Sequence, residues 1–182
     1  MLEVLGGVTY LEAQGRFVGP TYVEADGQVY EADRIIIATG AAAKPLTMNG
    51  FDLVKWHTNR TIMDIEQATE SLIIVGAGPE GLEFAQMFAH FGTYVTVVIA
   101  KDHRVLRREE PEIVDELLRS LRQEGIQFLM DVTVQKVEER DGLKVLTTQD
   151  GKEIAAQELL LAAGLRANTA DLGLDTAGVK AN

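Results

Sequence analysis

Gly76, Gly78 and Gly81, set in the run Gly-Ala-Gly-Pro-Glu-Gly, are the residues of this sequence whose type and spacing most clearly could do chemistry. A glycine at the first place lets the chain turn sharply out of a strand. At the second, the missing Cβ lets backbone approach a diphosphate, and at the third it lets a helix pack closely on the strand. The chemistry would be anion binding, because the first turn of a helix offers unpaired N–H groups and the positive end of its dipole. Ala77, Pro79 and Glu80 fill the loop, and Pro79 suits a first helical position, where its missing N–H costs nothing. The same glycines would also serve a tight turn that binds nothing. The complete order of strand, loop, helix and strand around them favours a dinucleotide.

A second group lies where the following strand ends. An acidic side chain there would accept hydrogen bonds from the ribose hydroxyls of NAD, but the sequence has Ile99 and Ala100. The next residues include Lys101, His103, Arg104, Arg107 and Arg108. Cations of this kind suit a ribose 2′-phosphate, which carries close to two negative charges, so NADP is favoured over NAD. The alternative is a solvated charge run balanced by Asp102, Glu109 and Glu110.

These residues need elements to hold them. The stretch 71–75 reads as a buried strand, 79–91 as a helix with Leu82, Ala85 and Phe88 or Ala89 on one face, and 94–99 as a second buried strand, together a βαβ unit. A second helix is expected over 110–125, with Ile113, Val114, Leu117, Leu118 and Leu121 sharing a face, then a strand at 126–130. Residues 131–153 read as a hairpin or three-stranded meander turning at Asp141-Gly142 and Asp150-Gly151, and "ELLLAAG" as a last buried strand that ends in Ala163 and Gly164. Upstream, residues 2–37 read as a small antiparallel meander with strands at 8–13, 16–19, 21–25, 28–32 and 34–38, the last running into Thr39 and Gly40. The irregular part from 45 to 70 is expected to hold one short helix around "TIMDIEQAT".

Composition bounds the functions open to such a chain. A formal charge of −11 argues against nonspecific binding to nucleic acid or to an anionic membrane surface. No apolar run is long enough to span a bilayer, and nothing at the start reads as a secretory signal, so the expected location is cytoplasmic. The sequence has no cysteine, which excludes disulfides, thiolate metal sites and a dithiol redox centre within it. His57, His90 and His103 lack ligand spacing, and no metal site is expected. Trp56 and Met63 are expected to cap the core, and Glu109, Glu110 and Glu112 to complement a helix N-terminus.

Taken together, three motifs resemble the pyridine nucleotide-disulfide oxidoreductases, flavoproteins that include mercuric reductase and dihydrolipoamide dehydrogenase. The motifs are "ADRIIIATGAAAKP", "VGAGPEGLEFAQMFAHFG" and "LLLAAGLRANTADLGLDTAGVKAN", in family order. The resemblance implies an α/β, Rossmann-like FAD/NAD(P)-binding fold of three layers, a parallel sheet plus a β-meander, preceded by an antiparallel β remnant of the FAD domain. Residues 1–47 would be that remnant, 48–70 a connector, 71–168 the NAD(P)H domain and 169–182 an exit segment. Thr39 and Gly40 would lie against the flavin nucleotide, and Ala163 and Gly164 would belong to the second nucleotide-facing strand end.

In the family, hydride passes from NAD(P)H to FAD and on to an acceptor. The segment with the cysteine pair and the dimerisation domain with its proton relay would lie outside this sequence. On that layout the chain is an interior fragment with no catalytic residue of its own, whose partners are NAD(P)H, the FAD and dimerisation domains of the parent, and a second copy of itself. Pro79 stands where relatives often have a bulky gate residue. Glu83 matches a helix carboxylate that in relatives pairs with a lysine beside the flavin, or is an exposed helix charge. Arg166 replaces a displaced family arginine, or faces water. A free-standing dinucleotide-binding module and a fragment of a dithiol-free flavoprotein, such as a ferredoxin reductase or NADH oxidase, remain alternatives.

Overall fold

The computed structural model describes residues 7–181. Residues 2–6, at the start of the expected upstream meander, lie outside the described residues. The chain divides into two compact units, one of residues 1–42 and 166–182 and the other of 43–165.

The larger unit is built on a parallel sheet. Strand β5 (Ser71–Val75) leads through helix α1 (Pro79–His90) to β6 (Tyr94–Ala100), and helix α2 (Pro111–Gln123) leads on to β7 (Gln127–Val132). An antiparallel meander follows, β8 (Val134–Arg140), β9 (Leu143–Thr148) and β10 (Glu153–Ala156), and the chain then returns to the parallel sheet as β11 (Glu158–Leu161). The sheet order is β11-β5-β6-β7 with every pairing parallel.

The three layers follow from what each strand face must cover. Alternate residues of β5 point to opposite faces, and both sets are buried. Leu72 and Ile74 join Val95, Val97 and Ile99 in a cluster with Leu82, Ala85 and Phe88 of α1 and Val114, Leu118 and Leu121 of α2. Ile73 and Val75 join Val98 in a second cluster with Val137, Leu146 and Ile154 of the meander. A strand covered on both faces reads as a nearly continuous apolar run, which is what "SLIIV" and "VTVVI" are, broken only by Ser71 and the buried Thr96. The fold is therefore α/β and Rossmann-like, with helices on one side of a parallel sheet and the meander on the other.

The connector forms the short helix expected around "TIMDIEQAT" only as a 3-10 turn at its start. It has two single-turn 3-10 helices, Phe51–Leu53 and Thr61–Asp64. Between them His57 runs beside β11, donating its N–H to the Leu159 carbonyl at 2.7 Å and accepting from the Leu161 N–H at 2.8 Å. Trp56 stacks on the buried Phe51 with ring centroids 4.9 Å apart. Met63 does not cap the core: it is 61 % exposed, because the short 3-10 turn buries Ile62 instead. Ile113 likewise leaves the apolar face of α2 at 65 % exposure. The helix starts at Pro111, so Ile113 lies in the first turn, and the buried stripe is carried by Val114, Leu118 and Leu121.

The smaller unit holds a three-stranded antiparallel sheet, β1 (Gly15–Gly19), β2 (Tyr22–Ala25) and β3 (Gln28–Glu31), in sequence order. The strands expected at 8–13 and 34–38 are absent: neither stretch forms a regular element, and Ile36 is 90 % exposed. No strand among the described residues offers either stretch its hydrogen-bonding edge, and apolar content alone does not make a strand. Two short segments, β4 (Ala41–Ala43) and β12 (Leu165–Ala167), pair as a separate two-stranded sheet.

Candidate functional site

The ends of β5 and β11 lie side by side, the Ala162 N–H donating to the Val75 carbonyl at 2.9 Å. Gly76 turns out of β5 at φ 114°, a conformation few side chains tolerate, and a Cβ there would overlap the Ala162 backbone. Gly81, in the first turn of α1, faces the Gly76 carbonyl so closely that a Cβ would overlap it, and Ala162 Cβ would lie 3.2 Å away. Both glycines are thus required by packing inside the chain.

Gly78 differs. Its φ of −76° suits any residue, and a Cβ built on it meets nothing within 4 Å. It stands at the N-cap of α1 without a capping side chain, followed by Pro79 at the first helical position. The first amide to close a helical bond is that of Leu82, donating to the Gly78 carbonyl at 3.1 Å. The Glu80 and Gly81 amides precede it and have no acceptor one turn back. Open space, free donors and the helix dipole therefore meet at Gly78. Ala77 is buried, Pro79 exposed, and Glu83 points outward from α1 as an exposed residue.

The basic residues lie on the loop after β6. Ala100, Lys101, Arg104, Arg107 and Arg108 are exposed, while Val105 is buried in the helix-side core. The loop is joined to the glycine turn by one backbone bond, from the Leu106 N–H to the Ala77 carbonyl at 3.0 Å. The Arg104 guanidinium closes the loop on itself through a 3.0 Å bond to the Arg107 carbonyl. Where β6 meets β7 the register shifts between Val98 and Ala100, and Asp131 opposite takes φ 56°. The extra residue lies on β7, so the bend falls on that strand, beside the Ala100 end of β6. Ala163 and Gly164 are exposed beyond β11, and Gly164, at φ 116°, accepts from the Lys44 N–H at 3.0 Å.

The glycine turn and the basic loop therefore both stand at the C-terminal ends of parallel strands, the place where open α/β sheets hold their ligands. Thr39 and Gly40 belong to the smaller unit. There Asn168 donates from its side chain to the Thr39 carbonyl at 3.1 Å and from its backbone to the Gly40 carbonyl at 3.0 Å. Thr39 lines a polar cavity of that unit with Arg16, Glu24, Asp26, Arg166 and Asp171. Arg166 thus faces a cavity, a placement that sequence spacing left open.

Sequence reasoning overlooked two residues. Leu106 sits amid charges in a run read only for its cations, and nothing in the residue type signals a backbone contact. His57 lacks ligand spacing, and its burial at 4 % exposure depends on β11, far along the chain.

The chain is similar to known proteins over most of its length. A family model described as pyridine nucleotide-disulphide oxidoreductase matches residues 2–182. The mercuric reductase of Streptomyces lividans is 40 % identical over 154 residues, covering 82 % of this chain and 32 % of that protein. The mercuric reductase of Lysinibacillus sphaericus is 30 % identical over 173 residues, covering 93 % of this chain and 32 % of that protein. Among solved structures, the HOCl-induced flavoprotein disulfide reductase RclA from Escherichia coli superposes over the whole chain and 42 % of its own, with a TM-score of 0.90 and 25 % identity. The chain spans about a third of the length of the mercuric reductases it matches.

Proposed function

The chain belongs to the pyridine nucleotide-disulphide oxidoreductase family, and from that premise we propose that it is the NAD(P)H-binding portion of a flavin-dependent oxidoreductase of the disulfide- or mercuric-reductase kind. The observation that carries this reading is Gly78. Two of the three glycines are accounted for by packing within the chain, whereas the space at Gly78 is filled by nothing in the chain.

A pyrophosphate fits this space. The Glu80 and Gly81 amides and the N-terminus of α1 would hold its oxygens, and Gly76 and Gly81 keep the turn tight enough to present them. Lys101, Arg104 and Arg107 would take a ribose 2′-phosphate, which favours NADP over NAD. Their guanidinium and ammonium groups offer charge-assisted hydrogen bonds that a ribose hydroxyl exploits far less. The exposed end of β11 at Ala163 and Gly164 would flank the nucleotide on its other side. NAD(P)H supplies a hydride, which FAD accepts in the parent enzyme. Thr39 and Gly40 fit a role against the flavin nucleotide, since Gly40 adopts φ 71° and Asn168 fixes both carbonyls.

The test is a calorimetric titration of the chain with NADPH and with NADH at two salt concentrations. Tighter NADPH binding that weakens with salt supports the 2′-phosphate assignment, because exposed phosphate contacts are screened over a Debye length of about 8 Å at physiological ionic strength. Equal or tighter NADH binding removes that assignment, and no binding of either nucleotide overturns the reading.

A further inference from the structure

We propose that Leu106 is a positioning residue: its backbone, held in the left-handed region, fixes the basic loop against the glycine turn and thereby sets the preference for a 2′-phosphorylated nucleotide. The inference rests on the reading above and names what gives the cations their place.

Leu106 has φ 43°. A leucine rarely adopts this conformation, which crowds its Cβ against the following carbonyl. Such a residue persists where its surroundings over-determine it, and such residues gather at functional sites. Here the surroundings are explicit. The Leu106 N–H donates to the Ala77 carbonyl at 3.0 Å, and the Leu106 carbonyl accepts from the Glu109 N–H at 2.8 Å. Its side chain packs on the helix-side core, and the preceding Val105 is buried in the same core. The loop also carries Asp102 at φ 64°.

The consequence concerns Lys101, Arg104 and Arg107. Long cationic side chains are flexible, and their reach toward a phosphate is defined only if their backbone is fixed relative to the other anion-binding group. The bond from Leu106 to Ala77 supplies that relation directly, since Ala77 lies between Gly76 and Gly78. An unstrained residue at 106 would release the N–H from the glycine turn and leave the cations on an untethered loop.

Three variants test this. Leu106→Pro removes the donor and imposes a negative φ. Leu106→Val keeps the donor and an apolar side chain, but a β-branched residue tolerates positive φ poorly. Leu106→Asn keeps the donor and accepts the left-handed region readily, while losing apolar packing. Each is titrated with NADPH and NADH by calorimetry, alongside its melting temperature.

In Leu106→Pro the NADPH-over-NADH affinity ratio is expected to fall about ten-fold, the loss of one well-placed charged contact. Leu106→Val should show a smaller fall in the same direction, and it carries the test if the proline variant does not fold. Leu106→Asn should keep the ratio within about two-fold although it melts earlier, a separation that a purely structural role would not give. A wild-type ratio in both the proline and valine variants, or in the valine variant alone should the proline variant not fold, overturns the proposal and leaves the 2′-phosphate reading standing. A wild-type chain that does not prefer NADPH overturns both.

Discussion

His57 and Glu158 lie 101 residues apart in sequence and 3.0 Å apart in space, Nε2 to Oε2. The other ring nitrogen, Nδ1, is 3.2 Å from the Thr61 carbonyl, which can only accept. Each ring nitrogen thus has a partner, one on the connector and one on β11. The pair, on a ring buried with the connector, pins residues 57–61 to the edge strand β11.

The first prediction concerns this clamp. Glu158→Gln keeps a side chain of the same length whose amide can still hydrogen-bond Nε2 and should cost little stability. Glu158→Ala leaves a buried ring nitrogen without a partner and should cost about 1–3 kcal/mol. Urea denaturation of the two variants reads the difference, and equal losses would remove the clamp as its source.

Gly76 and Gly78 should respond in opposite ways to the same change. Gly76→Ala forces a Cβ onto the Ala162 backbone at φ 114° and should destabilise by about 2 kcal/mol or more. Gly78→Ala meets nothing and should leave stability within about 0.5 kcal/mol. It should nevertheless weaken NAD(P)H binding about ten-fold or more, because the added methyl occupies the space assigned to the pyrophosphate. Thermal melts and calorimetry together separate the two outcomes.

Arg107→Gln should weaken NADPH binding by about 1.5–3 kcal/mol, the range of a hydrogen bond to a charged group, and leave NADH nearly unchanged. The dependence of NADPH affinity on salt should flatten at the same time. An equal loss for both nucleotides would place Arg107 away from the 2′-phosphate.

The fourth prediction is a pH dependence. The Arg140 guanidinium hydrogen-bonds the Glu153 carboxylate and holds it below its usual range, outweighing an opposing desolvation, with Coulomb attraction to Arg140 adding to the lowering. A depressed carboxylate contributes stability above the unfolded-state value of 4.5, and that contribution is lost as pH falls through the folded-state value. In Arg140→Gln the Glu153 carboxyl should titrate at higher pH by NMR. The stability difference from the wild type should close on acidification.

Much of the larger unit could be read from sequence because each signal there is local. The runs 71–75 and 94–99 are largely apolar since both sheet faces are covered, Pro79 and Pro111 mark helix starts, and Asp141-Gly142 marks the β8–β9 turn. What could not be read depends on partners. The run around Ile36 has the composition of a buried strand, but a strand is defined by its neighbour. Leu106 and His57 gain their roles from a carbonyl and a carboxylate that the sequence alone does not bring near. Ile113 matched the helical period and still faces solvent, because the period marks a face and says little about where along the helix that face is covered.

The place of β11 beside β5 has a bearing on how the molecule reaches its native state. The pairing of Glu158 with Leu72 closes a loop that contains both helices and the whole meander. Contacts so distant in sequence form slowly, since loop-closure entropy is lost before any ladder bond repays it. Until then β5 has one open edge and Gly76 has no Ala162 to turn against. The glycine turn is therefore among the last features to become ordered. A ligand that recognised the finished turn would bind only chains whose sheet is complete, so its binding would also report on folding.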